Sequence, residues 1–331
     1  MGGEKISDLD EFLIIEKILK YLHENPLGKN EDAIAWKIND LYIIVNIDSL
    51  VRKTDVLPVM TPEDIGRKLV IMTCSDVIAK GGIPKIFLAS GLFPGDESID
   101  YLLRIVKGIR DTCDEYEIKY VGGDLGEAED IILSGVALGL AKKLLKRSGL
   151  KPGDLVWTTG EFGLTGAAFH YVLFNGRRIK NMNRILESVK KPKLRLDEAK
   201  VIFQIATASM DSSDGLAITL NEMARMSNVK IIIEQIPLAK EVLEYAKENN
   251  LNPLSLAFFA GEEFELVFGT RGMSEEEVIE YFKSYKLKEP FLIGRVESGS
   301  GVFYKNRRIE RKGWSHFANE WYSLIRKQMS F

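Results

Sequence analysis

Several aspartates stand at points of the chain where their carboxylates could do chemistry together. They are Asp48, Asp76, Asp124, Asp211 and Asp214. Two like charges about 4 Å apart repel by roughly 4 kcal/mol at an effective dielectric constant of about 20, so a cluster of carboxylates requires bound cations. Oxygen ligands without a His or Cys cluster favour Mg²⁺ or Ca²⁺ over zinc. A His-based general base has little support, because the chain contains 3 His.

Asp76 is the acid whose position is hardest to explain as surface charge. Thr61-Pro62 predicts the start of a helix, with a threonine N-cap and proline at the first helical position. On that helix Ile65 and the apolar residues at i+4 and i+7 define a buried stripe. Asp76 lies about three turns after Ile65, on the same face. Its burial requires a cation or strong donors, and a structural aspartate bonded to backbone donors is the alternative.

The other aspartates belong to three short motifs. In "VNIDSLV" an apolar strand ends on Asp48, where a strand-end turn is the plain alternative. In "VGGDLGEAED" a strand is expected to end at Asp124, where paired glycines would let a ligand approach the backbone and a hairpin bend is the alternative. In "MDSSDGLAITL" a helix is expected to follow Ser213, and its N-terminus favours Asp211 and Asp214 or a phosphate. Capping explains one serine and one acid, but not all four polar residues.

The segment "FFAGEEFELVFGT" adds three acids. Glu262 and Glu263 follow Gly261, and Glu265 lies within an otherwise apolar segment. Alternation along a surface strand explains Glu265 but not the two acids beside the glycine. The sequence contains no Walker-A lysine motif and no kinase "HRD" motif. Nucleotide chemistry would therefore use carboxylate-held Mg²⁺ and backbone amides, with positioning and charge stabilisation as the catalytic effects.

Length and composition indicate two domains and exclude several functions. The 331 residues are 45% hydrophobic, enough for two cores, and we expect domains at 1–147 and 148–331. The 45 basic and 48 acidic residues leave no basic footprint for nucleic acid. No apolar run is long enough to span a membrane, and the N-terminus has no signal-peptide core. Cys74 and Cys113 favour reduced cysteines in a cytoplasmic protein.

Six motifs occur in the order in which they occur in thiamine-monophosphate kinases. They are "NIDSLV", "CSDVIAKGGIPK", "GGDLGEAEDIILSGVALG", "KRSGLKPGDLVWTTGEFG", "MDSSDGLAITL" and "GEEFEL". From about residue 28 to about residue 317 the chain resembles this family. The family in turn is similar to aminoimidazole-ribotide synthetase, selenophosphate synthetase and the hydrogenase maturation factor that dehydrates a carbamoyl group.

The resemblance implies an α/β (α+β) chain with the two-domain fold of aminoimidazole-ribotide synthetase. The N-terminal sheets of two subunits are expected to pair into a barrel within a homodimer, with ATP near that interface. The implied reaction is the ATP-dependent phosphorylation of thiamine monophosphate to thiamine diphosphate. It is expected to proceed by direct transfer, assisted by several Mg²⁺ ions, without a phospho-enzyme.

The resemblance also implies roles for individual residues. The expected Mg²⁺ ligands are Asp32, Asp48, Asp76, Asp124, Asp211 and Asp214, and four of them are expected to be catalytic, namely Asp48, Asp76, Asp124 and Asp211. The expected ATP contacts are Gly123, Asp124, Arg147 and Ser213. The expected substrate contacts are Asp55, Glu262 and Trp314. Asp55 and Ile47 stand where the family usually has a histidine and a threonine, and Glu31 replaces the first aspartate of its "GDD" turn.

Two alternatives remain open on the sequence alone. One is another ATP-using member of the superfamily that acts on a different phosphorylated or small-molecule substrate. The selenophosphate branch is expected to have a reactive N-terminal Cys or selenocysteine and the hydrogenase branch a C-terminal cysteine tail, and neither feature is found in this sequence. The other alternative is a non-catalytic nucleotide-binding paralogue, which the changes at Ile47 and Asp55 would fit.

Overall fold

Two β-sheets organise the chain, one in each half. The computed structural model describes residues 5, 6, 9 and 11–314. The elements of the first half are, in chain order, α1 (Glu11–Leu19), β1 (Ile34–Ile38), β2 (Leu41–Val51), α2 (Arg52–Asp55), α3 (Pro62–Ala79), β3 (Ile83–Phe93), α4 (Ile99–Glu115), β4 (Lys119–Glu127) and β5 (Ile132–Ala141). Those of the second half are β6 (Leu155–Thr158), α5 (Leu164–Phe174), α6 (Met182–Lys190), α7 (Leu196–Ile205), β7 (Ala206–Asp211), α8 (Leu216–Ser227), β8 (Lys230–Ile233), α9 (Lys240–Glu248), α10 (Pro253–Phe259), β9 (Leu266–Thr270), α11 (Glu275–Ser284), β10 (Phe291–Glu297), β11 (Gly301–Tyr304) and β12 (Arg307–Ile309).

The first sheet has five strands in the order β1-β2-β5-β3-β4. Its first hairpin turns at Asn39-Asp40, where Asn39 has a φ of 51°. Asparagine tolerates this left-handed conformation better than most residues. Along β2 the fully buried side chains are Ile44, Asn46 and Leu50, so alternate residues of the strand face the helices.

Helix α3 packs on the buried face of this sheet and carries Asp76. Thr61 caps its first turn through a capping box and Pro62 is its first residue, which confirms the predicted helix start. The helix crosses α4 at close range, because a Cβ on Gly66 would lie 2.2 Å from the carbonyl oxygen of Ile105. Only glycine leaves room for this crossing, which fixes α3 between α4 and the sheet.

The other face of the first sheet is open and apolar. Ile34, Trp36 and Ile47 are 53%, 65% and 65% exposed on this face. We call it the open face, defined by the alternate residues of β1 and β2 that point away from α3. Contiguous exposed apolar surface of this kind is typical of a protein–protein interface.

The second sheet has seven strands in the order β12-β11-β8-β10-β6-β9-β7. β7 and β9 are antiparallel neighbours, and Asp211 at the end of β7 pairs with Leu266 at the start of β9. The loop 212–215 after β7 therefore lies beside the segment 261–265 before β9. This pairing brings together two acidic motifs that are far apart in the sequence.

The two sheets with their packed helices confirm the predicted mixed α/β class. The N-terminal barrel formed with a second subunit remains a prediction, and so does the domain boundary between residues 147 and 148. None of the helices in the described part of the chain combines the length and apolar character needed to cross a lipid bilayer.

Candidate active site

A cleft of about 420 Å³ lies between the two halves of the chain. Its acidic lining residues come from α1, β2, α2, α3 and three loops, and they are Glu11, Asp32, Asp48, Asp55, Asp76, Asp214 and Glu262. Among the described residues that line the cleft, Lys68 is the only Lys or Arg. The cleft therefore carries a large excess of negative charge.

Three carboxylates converge at one end of this cleft. Asp32, Asp76 and Asp211 each offer an oxygen, and these oxygens lie within 4.8 Å of one another. Asp211 is 1% exposed, and its Oδ1 is buried without a hydrogen-bond partner among the described residues. Its Oδ2 accepts a hydrogen bond from Ser75 Oγ at 2.7 Å. We call these three residues the acidic cluster.

Asp48 is joined to the acidic cluster through Asn46. The Asn46 Nδ2 amide donates to Asp48 Oδ2 at 2.8 Å and to Asp76 Oδ2 at 2.7 Å. Asn46 is 4% exposed and precedes Asp48 by two positions on β2, so the side chains of both residues point toward α3. One buried amide thus orients one oxygen of each carboxylate.

Burial and like charges raise the pKa values of these acids. Burial, followed by the charge of Asp211, raises the pKa of Asp48 to about 6 and that of Asp76 well above its ordinary range. Burial also raises the pKa of Asp211 itself. Burial, with Glu11 as the next cause, raises the pKa of Asp214 to about 8. A bound cation would oppose all of these shifts, because it stabilises ionised carboxylates.

Asp32 differs from the other acids because two cations hold it ionised. Burial by itself would raise its pKa, but Arg147 and Lys80 outweigh burial and lower the pKa to about 2. Arg147 forms an ion pair with Asp32, and its backbone N–H donates to Glu31 Oε1 at 3.0 Å. Lys80 Nζ lies 2.7 Å from Glu31 Oε2 and 3.4 Å from Asp32 Oδ2. Glu31 therefore holds the buried Lys80 and Arg147 in place, and these two cations in turn hold the Asp32 carboxylate.

The loop 212–215 is held by the neighbouring segment rather than by helix capping. The N–H groups of Glu262 and Phe264 donate to the carbonyl oxygens of Ser213 at 2.6 Å and Ser212 at 3.0 Å. Helix α8 begins at Leu216, and its N-cap Gly215 makes no side-chain capping bond. A helix does follow Ser213, as predicted, but the expected cap by Ser212 or Ser213 is wrong, because the residue that precedes the helix is Gly215.

The opposite end of the cleft contains the residues expected to contact substrate. Asp55, Glu262 and Trp314 line both the cleft and an adjoining cavity of about 70 Å³. Lys68 Nζ lies 2.5 Å from Glu262 Oε1 and 2.6 Å from the Asp55 carbonyl oxygen. Burial raises the pKa of Glu262, although Lys68 opposes this shift. The backbone N–H of Trp314 donates to the Asp214 carbonyl oxygen at 3.1 Å, which ties this end to the loop 212–215.

Gly123 and Asp124 do not join the acidic cluster within this chain. Strand β4 continues to Glu127, so the predicted strand end at Asp124 is wrong. A Cβ on Gly123 would lie 1.6 Å from the Ala89 carbonyl oxygen, so the glycine permits close parallel pairing with β3 instead of ending the strand. Asp48 and Gly123 lie in one row of the sheet, three strand spacings or about 14 Å apart. Asp124 is exposed on the edge strand.

Comparison with known proteins identifies the family. Residues 30–141 match the model "AIR synthase related protein, N-terminal domain", and residues 151–305 match "AIR synthase related protein, C-terminal domain". The chain is 40% identical over 311 residues to the thiamine-monophosphate kinase of Pyrococcus abyssi, covering 92% of this chain and 95% of the relative. The chain belongs to the thiamine-monophosphate kinase family. The protein of the same name from Pyrococcus horikoshii is 38% identical over 317 residues, covering 94% of this chain and 97% of the relative.

A solved structure of the same family shares the fold over the whole chain. It is described as AaThiL complexed with AMPPCP and TMP, and it matches with a TM-score of 0.86 at 31% identity. The match covers 96% of this chain and 100% of the solved chain. Family membership and fold therefore rest on both sequence and structure.

Two residues that depart from the family pattern take different positions. Asp55, in place of the usual histidine, accepts a hydrogen bond from the Val51 backbone N–H at 2.7 Å through Oδ2 and still lines the cleft. Ile47, in place of the usual threonine, is 65% exposed on the open face. Asp55 thus retains a place at the substrate end, and Ile47 adds to the apolar open face while it also lines the cleft.

Several residues of the site were not predicted from the sequence. Asn46 and Ser75 hold carboxylates of the site, and Lys68 pairs with Glu262. Lys68 had a usable signal, because it precedes Asp76 by eight positions and so lies on the same helical face. Asn46 also had one, because it precedes Asp48 by two positions on a strand. Ser75 contacts a residue 136 positions away, and no local pattern predicts that contact.

The acidic cluster fits a divalent cation held by oxygen ligands. Three carboxylate oxygens lie within 4.8 Å of one another, and the buried Oδ1 of Asp211 has no hydrogen-bond partner in the described part of the chain. An oxygen-only donor set suits Mg²⁺, which prefers carboxylates and phosphates. The residues present therefore match the ion that ATP chemistry requires.

Proposed function

We propose that this chain transfers the γ-phosphoryl group of ATP to the phosphate of thiamine monophosphate, giving thiamine diphosphate. The observation that carries the proposal is a single cleft with the acidic cluster at one end and Glu262 and Trp314 at the other. Curated relatives at up to 40% identity are named thiamine-monophosphate kinases. A related structure is described with AMPPCP and TMP, which supports the same two substrates for this chain.

Asp32, Asp76 and Asp211 are proposed to hold Mg²⁺, with Asp48 and Asp214 as further ligands. Bound Mg²⁺ supplies positive charge to the phosphate oxygens as they approach each other. The acidic cluster is fixed in advance by buried contacts, since Ser75 holds Asp211 and Asn46 orients Asp76. Such a preorganised site needs little rearrangement when the phosphates bind.

The proposed ATP contacts are Arg147, Ser213, Gly123 and Asp124. Arg147 and Ser213 lie beside the acidic cluster, through Asp32 and the loop 212–215 respectively. Asp124 lies three strands away from Asp48. It would contact ATP only where the bound ATP extends over the open face. Support comes from a row of polar residues across this face, because Ser49, Ser134, Ser90 and Asp124 are in register on β2, β5, β3 and β4.

A homodimer paired through the open face is part of the same proposal. The exposed Trp36 and Ile47 supply the apolar surface that an obligate interface requires. Pairing would place Asp124 of one subunit opposite the other subunit's sheet. Trp36→Glu is expected to give monomers in sedimentation velocity and to reduce turnover. A dimeric Trp36→Glu variant with normal activity would show that this face is not the interface.

We also propose a cytoplasmic location and a division of the chain into 1–147 and 148–331. The two free cysteines, Cys74 and Cys113, are buried and fit a reducing compartment. The division is supported by the two sheets and by family models that end at 141 and begin at 151.

The decisive experiment is a direct product assay. Purified protein is incubated with ATP, Mg²⁺ and thiamine monophosphate, and thiamine diphosphate is quantified by chromatography, with EDTA as the metal-free control. We expect product only when Mg²⁺ is present. Absence of product, with ATP binding detected by isothermal titration, would instead support a non-catalytic paralogue. ATP turnover with other phosphate acceptors would support a different member of the superfamily.

A further inference from the structure

Lys68 is a buried cation to which the proposed reaction assigns no role so far. Its side chain is 2% exposed, and its Nζ contacts Glu262 Oε1 and the Asp55 carbonyl oxygen. A buried ammonium is costly unless it is paired, so these two acceptors account for its position in the protein as described. It nevertheless lines the cleft, at its substrate end beside Glu262.

The charge balance of the cleft shows what Lys68 could bind. Seven acidic residues line the cleft and would repel any phosphate that enters it. Mg²⁺ at the acidic cluster would attract the phosphates at that end. Among the described residues that line the cleft itself, Lys68 is the only Lys or Arg, whereas Lys53 lines only the adjoining cavity. An acceptor phosphate bound between the two ends would therefore have Lys68 as its protein cation.

Glu262 supplies the complementary charge to the same ligand. Its side chain is 25% exposed, and Lys68 occupies Oε1. Among the described residues no hydrogen bond or ion pair reaches Oε2, so this oxygen is available to a ligand cation. The backbone of Glu262 is fixed by its N–H bond to Ser213 and has a φ of 66°. Lys68 and Glu262 thus present one positive and one negative group side by side.

We infer that Lys68 and Glu262 bind a zwitterionic acceptor as a pair, with Glu262 taking the cationic ring and Lys68 the phosphate. The inference rests on the proposed function, because thiamine monophosphate carries both a thiazolium cation and a phosphate. Binding exchanges the internal ion pair for two ion pairs with the ligand, so neither charge is left buried and unpaired. The pair selects phosphate esters that carry a positive ring over neutral phosphate esters.

The test separates the two charges by using two ligands. Thiamine carries the cation without the phosphate, and thiamine monophosphate carries both. Isothermal titration in the presence of Mg²⁺ and AMPPCP measures both affinities for wild type, Lys68→Met, Lys68→Arg and Glu262→Gln. Lys68→Met is expected to weaken the binding of thiamine monophosphate by about ten-fold or more, which is the contribution of a charge-assisted hydrogen bond to affinity. Thiamine should bind this variant as well as wild type or better, because a repelling cation is gone.

The remaining variants act as controls. Lys68→Arg keeps the charge and should restore most of the affinity for thiamine monophosphate. Glu262→Gln should weaken the binding of both thiamine and thiamine monophosphate. Arg67→Met removes a cation of the same helix that pairs with Glu115 at 2.6 Å, and it should leave the ratio of the two affinities unchanged. That ratio does not depend on the fraction of folded protein, so partial unfolding of Lys68→Met cannot mimic the result.

Two results would overturn the inference. Equal weakening of thiamine and thiamine monophosphate in Lys68→Met would show that Lys68 acts only through Glu262 or the fold. Unchanged affinity for both ligands would show that Lys68 does not contact the acceptor. The proposed function fails separately, when wild-type protein forms no thiamine diphosphate in the product assay.

Discussion

Replacing Asp76 with asparagine is expected to stabilise the metal-free protein while it abolishes most activity. Asp76 shares the acidic cluster with Asp32 and Asp211, whose ligand oxygens lie within 4.8 Å of its own. At an effective dielectric constant of about 20, each such pair of charges repels by about 3.5 kcal/mol. Two effects reduce the gain in stability that comes from removing this repulsion. The attraction between Asp76 and Lys80 is lost, and part of the acidic cluster is already protonated. We therefore expect a net gain of about 1–3 kcal/mol in the free energy of unfolding without metal.

The hydrogen bond at this position should survive the substitution. Asn46 Nδ2 donates to Asp76 Oδ2 at 2.7 Å, and the carbonyl oxygen of an asparagine side chain can accept the same bond. Burial raises the pKa of Asp76 in the folded state, so the folded protein binds more protons there than the unfolded chain. Wild-type stability without metal consequently falls as pH rises through the raised pKa, and Asp76→Asn removes this loss. The advantage of the variant should therefore grow with pH.

The assay is chemical denaturation in EDTA at several pH values, followed by the same measurement with Mg²⁺ and ATP. Ligand-induced stabilisation should be large for wild type and much smaller for Asp76→Asn. Turnover should fall by about a hundred-fold or more if Asp76 has its proposed role, because one of the proposed Mg²⁺ ligands is lost. Without metal, a variant less stable than wild type would refute the repulsion argument, and a near-normal rate would make Asp76 a structural residue.

Asp154→Asn is the matched control for this experiment. Asp154 is buried, as Asp76 is, but it accepts hydrogen bonds from Nε and Nη2 of Arg271, both at 2.7 Å. The same substitution should here destabilise the protein by about 2 kcal/mol, because charge-assisted hydrogen bonds are lost. A higher free energy of unfolding for Asp76→Asn and a lower one for Asp154→Asn would show that the environment of the carboxylate determines the effect of the substitution on stability.

Three further predictions test the segment 261–265. Glu262→Ala should raise the KM for thiamine monophosphate about ten-fold or more with the KM for ATP unchanged in steady-state kinetics, and equal changes in both would contradict its role. Gly261→Ala should lower the free energy of unfolding in urea by at least about 2 kcal/mol, because its Cβ would lie 2.1 Å from the Ser213 carbonyl oxygen; an unchanged midpoint would contradict this contact. Burial raises the pKa of Glu263 to about 7, so wild-type stability should fall from pH 5 to pH 8, and Glu263→Gln should remove this fall. A pH profile identical in both proteins would show that Glu263 titrates normally.

Local patterns in the sequence were sufficient for the helix that carries Asp76, but not for the strands of Asp48 and Asp124, which continue to Val51 and Glu127 instead of ending at these aspartates. The Thr61 N-cap, Pro62 and the apolar spacing placed Asp76 on a buried helix face, where it is 8% exposed. The hairpin turn at Asn39 likewise depends on residues that are adjacent in sequence. These predictions succeeded because capping and periodicity depend on neighbours within a few positions.

Contacts between distant segments could not be predicted in the same way. Ser212 or Ser213 was expected to cap helix α8, but the loop is held through the Ser213 carbonyl oxygen by Glu262, 49 positions further along the chain, and Gly215 precedes the helix instead. Asp124 was expected at a strand end, but pairing with β3 extends the strand to Glu127. In each case a backbone hydrogen bond to a distant segment overrode a local preference. The order of motifs still identified the family, because motif order does not depend on knowing these contacts.

Helix α3 explains why the two ends of the cleft keep a fixed separation. Lys68 and Asp76 are eight residues apart on this helix, which is about 12 Å along its axis. The helix is capped, buried and locked against α4 at Gly66, so this distance is set by rigid backbone. Asp211 and Glu262 belong to the other half of the chain, but the loops beside them pair through backbone hydrogen bonds and form one unit. A relative movement of the two halves would therefore shift both contacts to α3 together, and the substrate end and the acidic cluster should open and close as one.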